Sequence, residues 1–190
     1  MKKSVAAYWV FALSLVLVTL TMHAEAEAQI LDRSLSLREL ARQLQTPDDI
    51  AHFLWRNFLF ENDQSQFGTE EHWQTPEEFL MNRRGDCEDF AIFAREILRL
   101  HGTTAFLLNI YGGHFSHTVC VFREDGRYSV LDGTEVRRYN TEDLKDIASR
   151  LYPYWKWGAI VAPSAHSKRG RIVTEFERKL QADRRIATSA

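Results

Sequence analysis

The stretch "RGDCEDFAIFAREILRLHG", Arg84 to Gly102, constrains this chain more than any other. Gly85 and Asp86 break and cap. Phe90, Ala91, Phe93, Ala94, Ile97 and Leu98 then recur at helical spacing, and His101 and Gly102 close the segment. Glycine past a last turn supplies the left-handed terminal position. A helix this apolar belongs in a core, so the fold must cover it with other elements. The 190 residues suffice for one domain with a sizeable core. Hydrophobic residues make up 45% and charged residues 26%, the balance of an ordinary globular protein. A net charge of −2 excludes a strong electrostatic pull toward nucleic acid or anionic lipid. No basic stripe with aromatics, Gly-rich phosphate loop or internal repeat is present.

Two earlier segments share a helix-start signature. "TPDDI" offers Thr46 as N-cap, Pro47 at the first helical position and Asp49. "TPEEF" offers Thr75, Pro76 and Glu78, the last completing a capping box. Proline costs nothing at that position because its N–H would have no partner. The first of these helices is expected to run to about Leu59, with Ile50, Phe53, Leu54 and Phe58 on one face; the second covers about Pro76 to Asn82.

Strand-like runs follow: Thr104 to Tyr111, Ser116 to Arg123 and Tyr128 to Asp132. Asp125-Gly126 between the last two is a strong hairpin signal. Thr141 to Leu151 reads as a helix capped by Thr141, and "WKWGAIVA" as a further strand. Arg171 to Arg185 is charged and weakly helical in period, hence a C-terminal surface helix or arm. Helices first and an antiparallel sheet afterwards make the class α+β.

The N-terminus reads differently. Lys2 and Lys3 precede an apolar run, Val5 to Met22, and "HAEAEAQ" offers small-residue cleavage positions after Ala26 and Ala28. That is the layout of an export signal. The expected organisation is a signal peptide over 1–26, a domain over 27–165 and the helix or arm over 166–190. Export makes the protein periplasmic or secreted; a membrane location follows only if the segment stays uncleaved.

Export also makes a Cys87–Cys120 disulfide the simplest reading of the two cysteines. Cys87, however, falls in the first turn of the core helix. Unpaired N–H groups and the dipole favour an anion there and can depress a thiol pKa. Asp86 can cap the helix, and Glu88 and Asp89 can complement its dipole. Their charge must then be offset by an imidazolium or a metal.

His117 can supply the imidazolium. An Asp125-Gly126 turn pairs Glu124 with Arg127, so Val119 faces Asp132. His117 shares that face, because side chains alternate along a strand. His117 and Asp132 are then one diagonal step apart, roughly 7 Å at Cβ. A carboxylate on one imidazole nitrogen leaves the other for a thiol. Cys120 points to the opposite face, so a disulfide and a Cys87–His117 pair exclude each other. The pair is preferred, with Cys120 a small buried residue. His114 belongs to a loop, His101 to a helix end, and His52 and His72 have no evident partners. No His/Cys cluster has zinc spacing.

With "RRGDCEDFAIFA", "SHTVCVF" and "YSVLDGT", the chain resembles the transglutaminase-like superfamily. The lead-in "WQTPEEFL" is similar to that of exported bacterial transglutaminase-like cysteine proteinases. The resemblance covers about Thr46 to Thr134. It implies a papain/transglutaminase-like fold, in which a core helix carrying Cys packs on an antiparallel sheet carrying His and Asp. It also implies Cys87 as nucleophile, His117 as base and Asp132 as orienter. Members of the bacterial group bind calcium near the cysteine, and Asp86 and Glu88 match those positions.

The expected activity is therefore acyl transfer by a Cys87–His117–Asp132 triad, hydrolysing an amide bond in a protein or peptide substrate. The triad itself requires no cofactor; calcium is the ion the resemblance implies. The backbone N–H of Cys87 is one expected oxyanion donor, and the Trp73–Gln74 region is a candidate for a second. Trp73 otherwise reads as core. Two alternatives stay open: a transglutaminase that passes the acyl group to an amine, and a catalytically silent binding module on the same scaffold.

Overall fold

The computed structural model describes residues 36–164 and 167–178. The expected signal peptide lies outside them. Among the described residues, no helix is long and apolar enough to cross a membrane.

Among the described residues, five helices come first: α1 (Leu37–Gln43), α2 (Pro47–Asn57), α3 (Asp63–Phe67), α4 (Pro76–Asn82) and α5 (Cys87–Leu100). Both Thr-Pro segments start as expected. Thr46 Oγ1 accepts from the Asp49 N–H at 3.1 Å, and Asp49 Oδ2 accepts from the Thr46 N–H at 2.8 Å. Thr75 and Glu78 exchange the same bonds at 3.2 and 2.8 Å. Asp49 therefore closes a capping box as fully as Glu78 does. Such caps satisfy amide groups that a helix start leaves without partners.

Aromatic packing joins the helices. Phe58, at the end of α2, stacks on Phe79 of α4 with centroids 4.4 Å apart, and Phe79 meets Phe90 of α5 edge-on at 5.0 Å. Between them, strands β1 (Leu59–Phe60) and β2 (Arg84–Gly85) form a short parallel pair, with Leu59 opposite Arg84 and Phe60 opposite Gly85.

The second half is a six-stranded antiparallel sheet in the order β6-β5-β4-β3-β7-β8. Its strands are β3 (Ala105–Tyr111), β4 (Ser116–Glu124), β5 (Arg127–Asp132), β6 (Glu135–Thr141), β7 (Trp157–Ser164) and β8 (Ser167–Glu177), with helix α6 (Leu144–Leu151) between β6 and β7. The β4–β5 hairpin has the expected registry, from Glu124–Arg127 to Cys120–Leu131. Asp125 and Gly126 sit at φ 52° and 77°, the left-handed pair that matches a two-residue turn to the strand twist.

The sheet buries both faces. Leu107, Cys120, Phe122 and Leu131 pack with Phe90, Phe93, Ala94 and Ile97 of α5. Leu108, Val119, Val121 and Val130 pack with Ile147 and Ala148 of α6 and with Trp155. The observed class is the expected one: a Cys-bearing core helix on an antiparallel sheet, α+β.

Three expectations are corrected. Helix α6 is capped by Asp143, which accepts from the Lys145 N–H at 2.8 Å; Thr141 ends β6 instead. Strand β6, "EVRRYNT", was hidden by charge that its partly exposed position at the sheet edge tolerates. The segment expected as a C-terminal surface helix or arm is, over its described part, strand β8 paired with β7. Charge obscured its two-residue period, and pairing with a preformed strand overrode a weak helical pattern. At Gly170 a Cβ would lie 2.1 Å from Cη2 of Trp73, so β8 crosses that indole at backbone distance.

Candidate active site

The pairing of β4 with β5 ends at Cys120–Leu131, although β4 continues back to Ser116. In an antiparallel ladder, alternate residues turn their N–H and C=O toward the same neighbour. Glu124, Phe122 and Cys120 turn theirs toward β5, and so does Thr118. Its partner on that register would be Gly133, which has left the strand at φ 57° for the turn into β6. The freed Thr118 N–H is turned toward Sγ of Cys87, whose pKa it lowers. The sulfur thus sits at an opening between two strands.

Cys87 is held there by its own helix start. Asp86 is the N-cap of α5 and Cys87 the first helical residue. Asp89 anchors this turn from beneath. Its Oδ1 accepts from the Gln74 N–H at 2.8 Å, and its Oδ2 accepts from Gln74 Nε2 at 2.6 Å and the Asp86 N–H at 3.3 Å. Gly85 has no Cβ because one would lie 2.2 Å from Asp89 Oδ2.

His117 and Asp132 reach the opening from the other face of the sheet, the one that also carries Val119 and Val121. His117 Nε2 lies 2.7 Å from Asp132 Oδ1. A carboxylate oxygen accepts, so the neutral tautomer that fits this bond carries its proton on Nε2 and its lone pair on Nδ1. Arg137 of β6 stands 3.5 Å from Asp132 Oδ2. Tyr152, just past α6, meets the imidazole edge-on at 5.4 Å between centroids. Burial raises its phenol pKa, with Asp132 and Cys87 adding to the shift. Tyr152 was not foreseen, since nothing local in "RLYPYW" ties it to His117.

Cys87, His117 and Asp132 line one cleft of about 360 Å³. The thiol's own hydrogen bond among the described residues goes to Glu88 Oε2 at 3.1 Å rather than to His117. Burial raises the Cys87 pKa, the Glu88 charge and hydrogen bond raise it further, and Thr118 lowers it. In this state the thiol keeps its proton. The expected depression by the helix N-terminus is outweighed by burial among acids.

Those acids are themselves strained electrostatically. Burial, followed by the hydrogen bond and charge of Asp86, pushes Glu88 up to about 9. Burial pushes Asp89 up to about 7 against the donors of Gln74. Asp63 and Asp86 are also raised, both first by burial. Asp63 Oδ1 and Asp86 Oδ1 are buried with no hydrogen-bond partner. Oxygens of Asp63, Asp86 and Asp89 lie within 4.8 Å of one another, as do ligand atoms of Asp86, Cys87 and Glu88. Hard oxygen donors with orphaned lone pairs suit calcium.

Gln74 cannot serve an oxyanion: its side-chain amide donates to Arg84 O at 2.9 Å and to Asp89, and its backbone N–H is also taken. Trp73 is core, with its indole N–H on Glu71 at 2.5 Å. Both cysteines are free. The reason differs from the expected one, because Cys120 does face α5. It is buried against the middle of that helix, where Arg95 is its charged neighbour, whereas Cys87 is at the start. His72 is buried; its N–H donates to Asp63 Oδ2, and its ring stacks on Phe67 at 4.0 Å. His101 bonds the Ala41 carbonyl at 2.6 Å and so ties α1 to α5. His114 is exposed in its loop.

A half-buried thiol at a helix start and an imidazole–carboxylate pair on a sheet define a cysteine–histidine cleft on an α+β scaffold. The chain belongs to the transglutaminase-like domain family, whose family model matches residues 26–146. No curated protein matches it. Among solved structures it is similar to LapG from Legionella pneumophila. The calcium-bound form is 20% identical, with 72% of this chain and 73% of that one covered and a TM-score of 0.44. The EGTA-treated form is 17% identical, with 78% and 89% covered and a TM-score of 0.47.

Proposed function

We propose that the chain is an exported cysteine peptidase that cleaves amide bonds in protein or peptide substrates, with Cys87 as nucleophile, His117 as base and then acid, and Asp132 as orienter. The observation that carries this reading is the 2.7 Å His117–Asp132 bond in the same cleft as Cys87. Asp132 fixes the tautomer in which Nδ1 is free to take a proton. The thiol proton passes to Nδ1 as sulfur attacks the amide carbonyl. The oxyanion forms beside the Cys87 backbone N–H at the helix start. His117 then returns the proton to the departing amine. Water, activated by the same imidazole, hydrolyses the thioester and restores the thiol.

Asp86 and Glu88, with Asp63 and Asp89 beside them, fit a calcium ion. Bound there, it would neutralise carboxylate charge next to the thiol. Glu88 would then no longer hold the thiol proton, and transfer to His117 would become the easier path.

The test is turnover of an internally quenched peptide library and of denatured protein in calcium buffer, repeated with dansylcadaverine as amine acceptor. Hydrolysis abolished by Cys87→Ala and by His117→Ala is the expected result. Incorporation of the amine in preference to water would replace the peptidase with a transamidase. Rapid Cys87 alkylation without either reaction would leave a silent binding module.

A further inference from the structure

The cleft has a wall that the proposed chemistry does not use. Trp55, Phe58, Phe60 and Phe90 line it beside the thiol. Phe58 and Phe90 are buried in the core, but Trp55 and Phe60 are 67% and 71% exposed. Two large aromatic faces exposed beside the thiol are apolar area that a bound molecule can cover. On the opposite wall, Arg137 is engaged by Asp132 and Glu135.

The backbone adds a second, independent observation. The Leu59 N–H donates to Arg83 O at 3.0 Å, and the Glu61 N–H to Gly85 O at 2.9 Å. Phe60 lies between them, so its N–H and C=O point away from β2. This leaves an open strand edge at the residue whose ring lines the cleft. Its partner across β1–β2 is Gly85, two residues before Cys87, so the edge is held in fixed register with the thiol.

We propose that an extended substrate segment adds to the open edge of β1 at Phe60 and lays a large apolar side chain, aromatic or long aliphatic, against Trp55 and Phe60. Main-chain pairing supplies general affinity, and the aromatic wall selects the residue. The inference deepens the peptidase reading and rests on it.

The experiment uses quenched decapeptides in an Ala-Gly-Ser background, carrying Phe, Leu, Asp or Lys at each position in turn. Wild type, Trp55→Ala and Phe60→Ala are compared, and binding of fluorescein-labelled peptides is read by anisotropy on Cys87→Ala and on Cys87→Ala/Trp55→Ala. Phe and Leu at one position should raise kcat/KM roughly tenfold over Asp or Lys, and each aromatic variant should remove that gain. N-methylation at a single peptide nitrogen should abolish cleavage. Cleavage with no apolar preference, or with a preference both variants retain, overturns the inference and leaves the peptidase. Binding of the Phe peptide that needs Trp55, without cleavage by wild type, upholds the subsite and overturns the peptidase. Neither binding nor cleavage overturns both.

Discussion

At the scale of single residues, the site turns on where one proton rests. Cys87 donates to Glu88, and the surrounding acids favour the neutral thiol. In EGTA, Cys87 should therefore alkylate more slowly than a free cysteine at pH 8, by about tenfold or more. Glu88→Gln should speed it, and calcium should do the same for wild type. Fast labelling of wild type in EGTA would contradict the arrangement. Stability follows from the same groups. Glu88 rises from an ordinary 4.5 to about 9, and Asp89 from 3.8 to about 7. The folded chain thus keeps protons that the unfolded chain has lost, so stability falls as pH rises through each window. Thermal melts in EGTA should show Tm declining from about pH 4.5 toward 9, with the steepest contribution of Asp89 complete near 7. Glu88→Gln should flatten the upper part, and a melt that rises over that range would refute the assignment.

At the scale of elements, the helix start is built on one buried carboxylate. Asp89→Ala would strand the Gln74 donors and cost about 3 kcal/mol. Gly85→Ala forces a Cβ into Asp89 and should cost a similar ~3 kcal/mol, measurable by urea unfolding, with Cys87 reactivity disturbed in the folded fraction. Much of this level was legible in sequence. The Thr46 and Thr75 boxes, the Asp125-Gly126 turn and the run from Phe90 to Leu98 are local signals, and each formed as expected. The same turn fixed the face shared by His117 and Asp132. What escaped was set by distant partners: β6 and β8 are strands because β5 and β7 lie beside them. The role of Gln74 depends on a carboxylate 15 residues away. Which sheet face meets α5 was likewise not a property of either segment alone.

At the scale of the whole molecule, the sheet carries one core on each face, and β8 borders the larger by crossing Trp73 at Gly170. A chain ended after Pro163 would uncover that indole and leave β7 as a bare edge. Its tryptophan emission should shift to the red and its solution should aggregate with concentration, since unpaired strand edges template association. Unchanged emission would show that the crossing contributes little. The cleft itself is a matter of ladder length. The β4–β5 pairing closes at the Asp125-Gly126 end and runs out at Cys120–Leu131, one rung before Thr118 would meet Gly133. That missing rung is the window that opens a sulfur on one side of the sheet and an imidazole on the other into one cleft. A hairpin zipped one step further would be the more regular sheet, and it would brick the window shut.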